Sequence, residues 1–105
     1  MNNQGFFYNQ NMPSSNEYLL YVLDLLREIK GITYKKMMGE YILYKDNVIF
    51  GGIYDDRFLI KKTKTSTTYD FKEHIPYPGA KPMLLVDIED HDEIRDLVIS
   101  VVKEL

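Results

Sequence analysis

The stretch from Tyr34 to Lys61, YKKMMGEYILYKDNVIFGGIYDDRFLIK, constrains the fold of this chain more than any other. It reads as short strands joined by turns of very few residues. The strands expected here are Thr33 to Met38, Glu40 to Lys45, Val48 to Tyr54 and Arg57 to Lys62. Gly39, Asp46-Asn47 and Asp55-Asp56 supply the turns; such residues accept turn conformations that most side chains resist. Connections this short force antiparallel neighbours, because parallel strands need long crossovers. Gly51 and Gly52 interrupt the third strand, where glycine marks a bulge or a close approach by another group. Alternation sets Tyr41 and Leu43 against Ile42 and Tyr44, and leaves open which pair faces inward.

The flanking segments are of a different kind. Residues 1–13, MNNQGFFYNQNMP, have no hydrophobic period and read as a flexible arm. Met12 before Pro-Ser-Ser reads as a second start, with residues 1–11 an upstream extension; the intact mass of the native N-terminus decides this. Residues 14–105 form one domain. A helix is expected over about 15–30, started by Ser14-x-x-Glu17 at capping-box spacing or by Ser15. Its apolar stripe is Tyr18, Val22, Leu25 and Ile29. The prolines of Ile75 to Pro82 forbid a regular helix there. Met83 to Ile88 is an almost unbroken apolar run and reads as a fifth strand buried on both faces. A last helix is expected from Asp92 to Leu105. Segregated helices and strands predict an α+β, two-layer fold: an antiparallel sheet of about five strands with the N- and C-terminal helices packed on it.

Composition excludes several function classes. The chain has 105 residues, 45% hydrophobic, and no cysteine. Disulfides, thiol nucleophiles and thiolate metal sites are ruled out, and a reducing cytoplasm suits the chain. No apolar run reaches the ~20 residues of a membrane span. The net charge of −3 disfavours broad nucleic-acid binding. Charge is nevertheless unevenly spread, with Lys30, Lys35 and Lys36 in one basic group and Arg57, Lys61, Lys62 and Lys64 in another. The segment from Asp87 to Asp96 is acidic.

No constellation of residues reads as catalytic. Adjacent carboxylates such as Asp55 and Asp56 project in different directions and suit a turn better than acid–base work. His74 and His91 are isolated and lack a second ligand at metal-binding spacing. Neither a P-loop nor a dinucleotide-binding glycine pattern occurs. No cofactor, metal or catalytic residue is expected. The candidate binding residues are Tyr41 and Tyr44 with Lys35, Lys36, Arg57 and Lys61, since aromatics and arginine dominate binding hot spots.

The run Met38-Gly39, Tyr41, Leu43-Tyr44, Asp46, Asp55-Asp56 and Lys61 resembles the signature of the TfoX N-terminal domain family, as does Pro78-Gly79-Ala80-Lys81-Pro82-Met83. The structural signature residues are Met38, Gly39, Gly51, Gly52, Asp55, Asp56, Gly79 and Pro82. The family's Arg before Met is Lys36, its Met-Phe-Gly-Gly reads Met37-Met38-Gly39-Glu40, and its usual Trp in the last helix is missing. Glu40 is the one departure that changes chemical character. The resemblance implies a two-layer α+β fold akin to secretion chaperones and a stand-alone member, since full-length TfoX regulators carry a second domain. It implies a non-catalytic regulatory or adaptor role through a protein partner, linked to competence or transcription, as a monomer or homodimer. The alternative from the residues is a nucleic-acid-associated module using a Tyr/Lys-rich sheet face.

Overall fold

The computed structural model describes residues 14–105; the expectations for residues 1–13 lie outside them. The chain runs α1 (Asn16–Leu25), β1 (Ile32–Met37), β2 (Glu40–Lys45), β3 (Val48–Ile53), β4 (Phe58–Ile60), a 3₁₀ turn (Ser66–Thr68), β5 (Glu73–His74), β6 (Met83–Leu85) and α2 (His91–Lys103). One antiparallel sheet has the order β1-β2-β3-β4-β6-β5. The fold is α+β, with an N-terminal and a C-terminal helix covering one face of the sheet.

Three two-residue turns build the meander. Met38-Gly39, Asp46-Asn47 and Asp55-Asp56 all have positive φ at both positions. That is the type I′ geometry, whose twist matches that of paired strands. Asn, Asp and Gly tolerate this region; Met38 does so without a local polar side chain, at φ 53 and 97% exposed.

The register fixes the faces. Tyr41 pairs with Ile53 and Leu43 with Gly51, whereas Tyr44 pairs with Ile49. Phe50 is thus an extra residue, a bulge opposite Leu43. The bulge turns Phe50 into the core beside Gly51, which has no side chain to compete for the space. A Cβ on Gly51 would lie 2.3 Å from the Leu59 carbonyl oxygen. The close approach anticipated for the glycine pair is therefore to the neighbouring strands, not to a helix.

The core joins Tyr41, Leu43, Phe50, Ile53, Phe58, Ile60, Leu84 and Val86 of the sheet side to Leu19, Val22, Leu25, Leu26 and Ile29 of the α1 segment and to Ile94, Leu97, Val98 and Val101 of α2. Each fully buried aliphatic or aromatic side chain contributes roughly 1.5–3 kcal/mol before entropy is counted. Asp90 caps α2 by accepting from the Asp92 and Glu93 amides.

Several expectations need correction. The α1 helix ends at Leu25, not near residue 30. Beyond it the chain tightens to i→i+3 bonds, Arg27 to Asp24 and Ile29 to Leu26. That winding still turns Leu26 and Ile29 into the core. Of the two serines offered as caps, Ser15 is the one that caps the helix, its Oγ accepting from the Tyr18 amide at 3.1 Å. The sheet has six strands, because Glu73–His74 adds a two-residue edge to β6. A polar pair that short carries no hydrophobic alternation, and only its partner's backbone defines it. The run from Met83 is strand only to Leu85. Leu84 and Val86 are buried while Met83 and Leu85 are half-buried, so this strand has one core face rather than two.

Ser14 has a different task. Its hydroxyl donates to Glu40 Oε1 at 2.7 Å and accepts the Asp56 amide at 3.1 Å. Its own amide donates to the Gly39 carbonyl, and the Ser15 amide donates to Asp56 Oδ1 at 2.8 Å. The start of α1 is thereby clamped to the β1–β2 and β3–β4 turns together. Glu40 stands at the centre of that clamp.

Two outcomes follow from these geometries. Met38→Asn relieves the left-handed strain and should raise the urea midpoint by on the order of 1 kcal/mol of stability. Gly51→Ala and Gly52→Val should each lower stability by about 1–3 kcal/mol, since added atoms meet the Leu59 carbonyl at Gly51 and the Tyr54 ring and Tyr41 carbonyl at Gly52. Unshifted denaturation midpoints would show that the strands give way freely.

Candidate binding groove

Among the described residues no helix covers the second face of the sheet. On it the register aligns Lys35 with Ile42 and Ile42 with Gly52, and Tyr44 with Ile49. The segment 75–82 lies along this face. It turns at Tyr77-Pro78-Gly79-Ala80, where the Ala80 amide donates to the Tyr77 carbonyl at 3.0 Å and Gly79 takes φ 86. Proline then glycine at the two central positions is the sequence a type II turn asks for.

Between this segment and the strands lies an open groove of about 780 Å³. Its lining includes Met37, Ile42, Tyr44, Ile49, Tyr54, Tyr77, Pro82 and Met83, with Lys61, Lys62 and Lys81. No Asp or Glu side chain lines it. Lys62 is bound by Glu73 at 2.7 Å, whereas among the described residues Lys61 and Lys81 make no ion pair. The groove is therefore apolar with an electropositive rim. The Tyr54 and Tyr77 rings lie 6.4 Å apart at 48°. Burial raises the Tyr54 hydroxyl above its ordinary pKa, with Tyr77 and Glu40 adding to the shift, so the ring stays neutral. Leu59, 1% exposed, belongs to this face by its pairing with Gly52 and Leu85.

The candidate residues do not form one patch. Tyr41 is 4% exposed in the core, with the Tyr34 ring edge-on at 5.9 Å and the Lys36 ammonium 6.0 Å from its centroid. Tyr41 thus leaves the set of surface anchors, and Tyr44 stays. Lys61 joins Tyr44 in the groove. Lys35 shares the helix-free face, while Lys36, next in sequence, is on the opposite one. Arg57 sits in the β3–β4 turn and donates to Asp55 at 3.0 Å. A single basic surface tracking a phosphate backbone does not arise from these positions. Sequence reasoning missed Ile42, Ile49, Tyr77 and Met83; the apolar run of the proline-rich segment was the available signal for Tyr77.

Among the described residues no group of three His, Asp or Glu side chains could hold a metal ion, and no helix is long and apolar enough to cross a membrane. His74 lies on β5 and His91 at the start of α2, on separate elements.

Tyr41→Ala should cost about 3 kcal/mol or more, as a buried aromatic does, while Tyr44→Ala should cost about 1 kcal/mol or less. Equal shifts in urea denaturation would contradict this assignment of faces.

No protein-family model matches the chain, and no solved structure matches it. A protein of Spirochaeta aurantia, named as an uncharacterized 12.7 kDa protein in the trpE 5'region, is 31% identical over 91 residues. The alignment covers 83% of this chain and 79% of that protein. The chain belongs to the same family as this spirochaete protein.

Proposed function

We propose that this domain is a non-catalytic regulatory or adaptor module of the TfoX N-terminal type, working in the cytoplasm by binding another protein. The observation that carries this reading is the uncovered apolar groove. Ile42, Tyr44, Ile49 and Met83 occupy sheet positions that a helix would cover in a fold with two closed faces. The occupant is a partner segment with aliphatic or aromatic side chains flanked by Asp or Glu. Its apolar groups fill the groove, and its carboxylates meet Lys61 and Lys81, which make no ion pair among the described residues. The TfoX-like signature, Met38-Gly39 through Lys61, supports a regulatory setting such as competence or transcription.

Selection of a random peptide library on the whole chain tests this directly. Peptides rich in Leu, Ile, Phe or Tyr beside acidic residues are expected. Ile49→Asp and Tyr44→Ala should each weaken the selected peptides by about 2 kcal/mol or more, as loss of a hot spot does, at little cost in stability. Recovery of basic peptides, or of binders indifferent to both substitutions, would remove the groove from the interaction. Salt-sensitive retention on DNA that survives Ile49→Asp would point instead to nucleic acid.

A further inference from the structure

The strand order leaves β1 at an edge of the sheet. All its residues but Ile32 are exposed, and among the described residues nothing pairs with its outer side. A six-residue edge of this kind is a template for another strand. The opposite edge, β5, has only two residues.

The outward-facing groups can be named. In a two-residue hairpin the residues flanking the turn bond each other, and bonded and non-bonded pairs then alternate. Met37 pairs with Glu40, Lys35 with Ile42 and Thr33 with Tyr44 as bonded pairs. The N–H and C=O groups of Ile32, Tyr34 and Lys36 therefore point away from β2.

Charge selects the occupant. Lys35 presents its ammonium on the helix-free face and Lys36 on the other, with exposed Lys30 just before the strand. None of the three is ion-paired among the described residues. The nearby carboxylates are already engaged: Glu40 by Ser14 and the Asp55 amide, Asp46 by Lys45 at 2.8 Å. A second copy of β1 would bring further lysines alongside these, and like charges across a strand pair are destabilising.

We infer that β1 is a second docking surface, which adds an extended partner segment carrying Asp or Glu on both of its faces. Backbone bonds to Ile32, Tyr34 and Lys36 hold the segment, and Lys35 and Lys36 select its charge. This rests on the protein-binding reading above but not on the groove.

The probe is a fluorescein-labelled peptide of about ten residues repeating Glu-Glu-Val-Val, which sets Glu on both faces of an extended strand, at a length that spans one strand with overhang. The matching Lys-Val peptide is the comparison, and anisotropy with the whole chain is the readout. The acidic peptide should bind at least about tenfold tighter than the basic one, and the double variant Lys35→Glu, Lys36→Glu should reverse that order. Tyr34→Pro deletes one outward N–H and should weaken binding by about tenfold, whereas Tyr34→Ala, which keeps the N–H, should retain it. Ile49→Asp in the groove should change nothing.

Indifference of the acidic peptide to charge reversal overturns the inference. Loss of binding on Ile49→Asp does so too, placing the peptide in the groove and leaving the proposed function standing. A wild-type dimer in sedimentation that Tyr34→Pro dissociates would assign the edge to a second copy and also overturn it. If Tyr34→Pro fails to fold, the charge-reversed chain decides alone.

Discussion

The type I′ turns of the meander are the constraint on which the rest of the structure depends. A two-residue turn leaves no freedom in register, and in a strand a slip of one residue sends every side chain to the wrong face. Through Met38-Gly39 and Asp46-Asn47 the chain commits Tyr41 and Leu43 to one face and Ile42 and Tyr44 to the other. The Phe50 bulge then corrects the third strand. Without it Phe50 would share the face of Gly52; with it Phe50 enters the core while Ile49 joins Tyr44 outside.

The clamp at the start of α1 makes these turns cooperative. Ser14 and Ser15 bind Gly39, Glu40 and Asp56 at once, so helix docking and both turns support one another. Two of the turn residues are thereby given a physical meaning. Asp55-Asp56 is a left-handed turn whose second carboxylate holds the Ser15 amide. Glu40 accepts the buried Ser14 hydroxyl. Neither carboxylate needs a chemical reaction to account for its place.

The two faces of the sheet obey different rules. One is closed by aliphatic side chains of α1 and α2 into a dense core. The other keeps apolar side chains in an open groove under the proline-rich segment, and polar atoms there are few. Such a surface is costly to leave in water, and it gains most when another apolar group covers it. The unpaired lysines of the rim and of β1 bias what that group can be. Apolar contact supplies affinity, while charge supplies selection and encounter.

The order of elements was legible in the sequence. Hydrophobic period marked the helices, short turn dipeptides marked the meander, and capping residues marked the start of α2. These are local signals, carried by residues next to one another in the chain. The glycine pair at 51 and 52 was legible only as a bulge or a close approach; which groups come close was decided by the packed strands. What only the tertiary structure decided was non-local. Whether Tyr41 or Tyr44 faces in depends on where the helices dock. The two-residue β5 exists because β6 lends it a backbone, and β6 has a single core face because both helices chose the same side. The groove is made by the proline-rich segment folding over strands well separated from it in the chain, and no local pattern encodes that contact.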